Sequence, residues 1–213
     1  MPSAWIIWTV AKLILSFLLG AGVYFIVIQG EAKMKWQAIE EVFSFIINVI
    51  LYMWLAKILL HLQMFIQDPF ALLAYPSTRQ AFYIGVALAV IHSVYKGWKK
   101  GEFSTALYDA FVPIFIFSSF IYEFMQLIER KSNYELPYVI TLAVVLLYYV
   151  FIGAKMSASL RSYTTALLWL VGVFILQWIM PVVTMYQYRI TIPFIVIVLL
   201  AHVGYGIIQK KRK

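Results

Sequence analysis

The positive charges of this 213-residue chain fall between long apolar runs, and they alternate in density from one gap to the next. Uncharged or nearly uncharged stretches cover residues 4–28, 42–62, 80–95, 105–128, 136–154, 163–183 and 190–208. Each approaches the ~20 apolar residues that carry a helix across ~30 Å of hydrocarbon. One set of connecting segments and the tail hold eleven basic residues: Lys33, Lys35, Lys96, Lys99, Lys100, Lys155, Arg161, Lys210, Lys211, Arg212 and Lys213. The other set holds four: Arg79, Arg130, Lys131 and Arg189. Basic loops stay on the cytoplasmic side, so the pattern predicts an odd number of spans, N-terminus out and C-terminus in. The expected fold is all-α: a single polytopic domain over residues 1–213 with seven transmembrane helices.

Composition supports that class. With 64% hydrophobic and 12% charged residues and a mean hydropathy of +0.88, the chain has too little polar surface for a soluble globule. No segment between the runs is long enough to bury a core of its own. The net charge of +8 sits mostly in the expected cytoplasmic loops, which suits anionic headgroups and argues against a nucleic-acid partner. The absence of cysteine excludes disulfides, thiol catalysis and cysteine-ligated metal centres. The first run reads as a retained span that doubles as a signal anchor.

Two connections are informative. Residues 64–76, on the expected outer side, are apolar but interrupted by Pro69 and Pro76; they read as a loop in the headgroup region or as a re-entrant or interfacial helix forming a lid over a site in the outer leaflet. Residues 96–103 read as a basic anchoring turn. Trp5, Trp8, Trp36, Trp98, Tyr134, Tyr138, Tyr186 and Tyr188 cluster near span ends, as an aromatic belt requires. The sequence has no internal repeat, so an inverted-repeat transporter is not supported.

Ionisable groups inside hydrocarbon need a partner or a purpose. Lys12 is expected to snorkel to the outer interface. His92 and His202 read as neutral packing residues. The chain's three histidines fall on different spans and make no metal signature, so no cofactor is expected. Asp109, at the cytoplasmic start of the fourth span, is expected to cap that helix or to pair with Lys99 or Lys100, with Pro113 as a structural companion. One constellation stands out. Lys57 and His61 are four apart on the second span, Glu123 and Gln126 three apart on the fourth, and both pairs fall at one depth in the outer third. A Lys57–Glu123 ion pair is expected there, either as a helix-pinning bridge or as part of an outer-leaflet polar pocket of Lys57, His61, Tyr83, Glu123 and Gln126.

The order of segments from Trp36 to Pro181 resembles the prolipoprotein diacylglyceryl transferases. The likeness rests on Leu55-Ala56-Lys57-Ile58-Leu59-Leu60, Gln67-Asp68-Pro69, Trp98-Lys99-Lys100-Gly101-Glu102-Phe103, Asp109-Ala110-Phe111-Val112-Pro113 and Leu136-Pro137-Tyr138. The resemblance implies a seven-span bacterial inner-membrane protein with this same orientation. Its family moves a diacylglyceryl group from phosphatidylglycerol to a lipoprotein cysteine. The chemistry-bearing motifs depart from that pattern. The family's His-Gly-Gly falls on Tyr83-Ile84-Gly85. Its Arg-x-Gly-Asn falls on Glu123-Phe124-Met125-Gln126, with the following glutamate near Lys131, and its Tyr-Glu on Thr141-Leu142. A phosphodiester needs unopposed positive charge, and Glu123 opposes it.

The leading expectation is therefore a non-catalytic member of this scaffold that binds or assists a membrane lipid such as phosphatidylglycerol, a lipoprotein or another membrane protein. A divergent lipid-modifying transferase using His61, Glu123 and Lys57 is the enzymatic alternative. A small transporter is the third, with only Asn48 and Gln177 as polar groups near mid-span.

Overall fold

The computed structural model describes residues 4–74, 77–99, 105–130 and 135–211. Lys100 and the rest of the basic turn to residue 103, Lys131, Tyr134, Pro76, Arg212 and Lys213 lie outside the described residues. Nine α-helices and one hairpin follow in order among the described residues: α1 (Ala4–Val27), α2 (Ala32–Leu60), α3 (Leu62–Gln67), α4 (Pro69–Ala74), α5 (Arg79–Lys99), α6 (Thr105–Arg130), α7 (Leu136–Leu147), α8 (Ala158–Ile179), β1 (Val183–Met185), β2 (Tyr188–Ile190) and α9 (Ile192–Lys211). Helix α7 runs on through a π turn at Tyr148–Ile152 and a 3₁₀ turn at Gly153–Lys155.

Five helical stretches are long and apolar enough to cross a membrane: Ile7–Val27, Ala32–Leu60, Ala106–Glu129, Leu136–Lys155 and Ala158–Ile179. The chain is a helical membrane protein by that measure. Helix α9 is apolar over the shorter stretch Ile192–Ile207, and α5 carries Arg79, Lys96 and Lys99 at its ends.

Helix α6 is the centre of the bundle. It packs on α1, α2, α7 and α8, and its apolar window is 61% buried against 22–33% for the other four. Small residues let the backbones close up where apolar attraction between helices is weak. A Cβ on Gly20 of α1 would lie 2.9 Å from the Ser118 nitrogen and 3.0 Å from the Ile114 carbonyl oxygen of α6. One on Gly85 of α5 would lie 2.8 Å from the Met53 nitrogen of α2. The serines of the α1/α6 seam stay satisfied within their own helices: Ser16 donates to the Leu13 carbonyl at 2.8 Å and Ser118 to that of Ile114 at 2.6 Å.

Asp109 and Pro113 join α6 to α8. Proline has no N–H, so Pro113 leaves the carbonyl of Asp109, four residues back, without its helical donor. Ser162 of α8 donates to that carbonyl at 3.1 Å. The Asp109 carboxylate accepts from Ser159 at 2.7 Å, beside the N-terminus of α8, where the helix dipole favours an anion. Asp109 thus holds the start of a different helix instead of capping its own; Lys100, one of the two lysines expected to pair with it, lies outside the described residues. At the same end, Lys35 donates to the Phe25 and Ile28 carbonyls at 2.8 and 3.2 Å and closes the C-terminus of α1. Arg161 donates to Tyr149 O at 3.0 Å, a carbonyl of the π turn.

The connection from α8 to α9 is not the simple loop implied by adjacent spans. Strands β1 and β2 pair antiparallel, Val183 with Ile190 and Met185 with Tyr188. Tyr186 and Gln187 form the two-residue turn with φ of 49° and 71°. Two positive values fit the twist of a tight hairpin, although neither residue is the glycine or asparagine that adopts them cheaply. The hairpin folds back between the helices. Its tip, Tyr186, stacks on Phe17 near the middle of α1 at 5.3 Å between ring centroids. It also meets Phe115 at 6.1 Å and Tyr122 at 5.2 Å on α6. Non-helical backbone at that depth is tolerated only when enclosed by protein, and Val183, Met185 and Ile190 are buried in the main core cluster.

Candidate functional site

The end of the bundle entered by the hairpin gathers buried polar groups. It is formed by the starts of α1, α5, α7 and α9 and the ends of α2, α6 and α8, because successive long helices alternate in direction. Lys12 of α1 is only 5% exposed. Its ammonium pairs with Glu129 of α6, the one ion pair among the described residues, and donates to the Gln126 carbonyl oxygen at 3.4 Å. Gln126 donates in turn to the Tyr122 hydroxyl at 2.9 Å. Trp8 donates its indole N–H to the other Glu129 oxygen at 2.9 Å. Lys12 does not simply snorkel: it is the cation of a five-residue network tying α1 to α6.

Lys12 and Glu129 thus join the residues that the sequence singled out at this end. Lys57 and Glu123 are both buried, at 4% exposure each, and Lys12 pairs with Glu129 beside them on α6. Gln126 faces α1, not Lys57. His61 does not share a face with Lys57, because α2 ends at Leu60 and His61 takes φ −131° and ψ 42°. Its side chain is exposed while that of Lys57 is buried.

Glu123 shares a cleft with a carboxylate that the sequence did not single out. Glu123, Glu135, Tyr138, Met180, Val182, Val183 and Thr184 line a space of ≈ 10 Å³ between α6, α7 and the hairpin. That is room for about one water molecule. Glu135 is 7% exposed and sits immediately before α7.

The hairpin is what fills this end. The Tyr186 hydroxyl lies 3.0 Å from the Ser119 hydroxyl of α6, and burial pushes its pKa well above the ordinary tyrosine value. It therefore remains a neutral O–H group. Tyr83 of α5 latches the base: its hydroxyl donates to the Arg189 carbonyl at 2.8 Å and accepts from the Thr191 N–H at 3.0 Å. Its ring stacks on Phe194 at 4.1 Å. Tyr83 thus orders the hairpin and the start of α9 instead of facing Glu123. Gln177, read as a mid-span polar group, donates to the Ile190 carbonyl at 2.9 Å and serves the same structure. Phe82 stacks on Tyr188 at 4.6 Å with an interplanar angle of 5°.

The connection between α2 and α5 forms two short helices, α3 and α4, with Asp68 between them. Helical structure, not a plain loop, thus crosses this end. Ile66 and Phe70 are 74% and 83% exposed, whereas Leu72 is buried. Elsewhere, His202 of α9 contacts the Tyr163 carbonyl through Nε2 at 3.1 Å and the Tyr108 hydroxyl through Nδ1 at 3.2 Å, as a packing histidine would. No group of three or more metal-ligating acids or histidines occurs among the described residues.

Comparison with family models, curated proteins and solved structures finds no match for this chain.

Proposed function

We propose that this is a multi-pass protein of the bacterial cell membrane that crosses it seven times, with the hairpin end facing out. It acts as a binding or accessory protein for a lipid, a lipidated chain or another membrane protein, on a scaffold like that of the prolipoprotein diacylglyceryl transferases. The alternation of basic segments supports the orientation. The lengths of α5 and α9, 21 and 20 residues, support counting them as spans, since ~20 residues at 1.5 Å each cover ~30 Å.

The observation that carries the non-catalytic reading is the occupied polar end. The chain's own hairpin stands where the outer-leaflet pocket was expected, and the space left beside Glu123 and Glu135 is ≈ 10 Å³. A glycerophosphate headgroup is many times larger than one water. A partner is therefore met at the lipid-facing surface or over α3 and α4, not in a chamber inside the bundle.

The test is complementation of a bacterial strain depleted of its own diacylglyceryl transferase. The expected result is no rescue and no diacylglyceryl-modified lipoprotein by mass spectrometry. Restored growth with correctly modified lipoproteins would overturn the reading and support the transferase alternative.

A further inference from the structure

At the end of the bundle away from the hairpin, α7 turns into α8. The Gly153 N–H reaches back five residues to the Tyr148 carbonyl, and the Tyr149 carbonyl accepts from Arg161 Nε of α8 at 3.0 Å. The guanidinium carbon lies 3.7 Å from the centroid of the Tyr149 ring. The arginine stem crosses Gly153, where a Cβ would come within 2.8 Å of Arg161 Cγ. Three contacts thus fix this side chain, and they use one of its five N–H donors. Neither Nη has an acceptor among the described residues, and Arg161 joins no ion pair among them. The Asp109 carboxylate takes Ser159 instead and lies beyond ion-pair distance of Arg161.

The surroundings identify the acceptor. The apolar stretches Leu136–Lys155 and Ala158–Ile179 meet here, so exposed Lys155 stands where hydrocarbon gives way to headgroups. Arg161 is the fourth residue of α8. Helical side chains lean toward the N-terminus, which carries its guanidinium back to the same boundary. Beside the two cations, Phe151, Ile152 and Leu160 are 67%, 56% and 49% exposed. A soluble anion has no use for an apolar floor, whereas a lipid lays its acyl chains there and its phosphate against the cations. The planar pair of Nη groups matches two oxygens of a phosphodiester.

We infer that Arg161 and Lys155 hold the phosphate of an anionic phospholipid at the α7/α8 edge, with Phe151, Ile152 and Leu160 under its acyl chains. On the proposed orientation this is the cytoplasmic leaflet. The inference rests on the proposed reading only in that α7 and α8 cross the membrane; it needs neither the count of seven spans nor the transferase likeness.

The delipidated protein is titrated in detergent with phosphatidylglycerol or phosphatidylcholine, and bound lipid is counted by native mass spectrometry. Phosphatidylglycerol should bind more tightly, because the choline cation meets Lys155. Arg161→Gln should weaken the first phosphatidylglycerol bound by about tenfold, the order of one lost bidentate contact. Gly153→Ala keeps every charge but displaces the arginine stem, so it should weaken binding similarly, which a diffuse basic surface would not do. Lys155→Gln, on an exposed side chain, should cost about threefold and keeps the test decisive if a variant at the α7/α8 packing fails to fold. Equal affinity for the two lipids, native affinity in Arg161→Gln or Lys155→Gln, or displacement of the lipid by inorganic phosphate would overturn the inference. The native chain has no cysteine, so impermeant maleimide on Ser157→Cys and Arg189→Cys, beyond the two ends of α8, separates the failures. Labelling from opposite faces without lipid selectivity sinks this inference alone; labelling from one face sinks the spanning reading with it.

Discussion

A lysine ammonium carried into a helix bundle needs acceptors for its donors, and Lys12 has Glu129 and Gln126. The Glu129 side chain is 42% exposed, so water screens one partner while the other is buried. Glu129→Ala should therefore cost about 2 kcal/mol, between the ~1 of a surface pair and the ~3–5 of a fully buried one. A Lys12→Met/Glu129→Leu double mutant should recover most of that loss in thermal melts of the detergent-solubilised protein. Additive losses across the cycle would mean that the pair is not coupled. The sequence revealed which residues lie at this depth, since Lys57, Glu123, Gln126 and Lys12 are read directly from their position along each run. It did not reveal which of them meet. Partner choice depends on helix rotation and neighbour order, and residues 12 and 129 are too far apart in the chain for any periodicity to link them.

Helix pairing is set by where glycine faces a neighbouring backbone. Gly20 abuts α6, whereas nothing lies within 4 Å of a Cβ placed on Gly22. Gly20→Ala should lower stability by about 1–3 kcal/mol through overpacking, and Gly22→Ala should leave it nearly unchanged. Equal melting temperatures for the two variants would argue against the α1/α6 seam. The long helices were legible from hydropathy, and the structural pairing of Asp109 with Pro113 was legible from their spacing. The hairpin was not, because its strands are three residues each and its turn is Tyr-Gln instead of a glycine or asparagine pair. The α3–α4 segment was half legible. Asp68-Pro69 is a break in one helix and also a favoured way to begin the next, with proline at the first helical position.

At the scale of the whole molecule, five helices meet the length and hydropathy of a span, and seven are needed to match the alternation of charge. Helices α5 and α9 fall short for understandable reasons. The first ends in Lys96 and Lys99; the second has an apolar stretch confined to Ile192–Ile207. In intact cells, cysteines at Lys33 and Lys155 should resist an impermeant maleimide, whereas one at Gln67 should react. Labelling at Lys33 or Lys155 would reverse the orientation. The hairpin fills the end of the bundle where a polar pocket was expected.

Ser119 tests that most directly. It is 1% exposed and lies against the Tyr186 hydroxyl at the hairpin tip. With Ser119→Cys in native membranes, a small water-soluble methanethiosulfonate should leave the thiol unmodified from either face, while Gly30→Cys in the exposed α1–α2 connection reacts in inverted vesicles. Replacing the tip by Tyr186→Ala should speed modification of Ser119→Cys. Rapid modification from the outer face with the hairpin intact would mean an open, water-filled chamber at this end, and would contradict the occupied site on which the account rests.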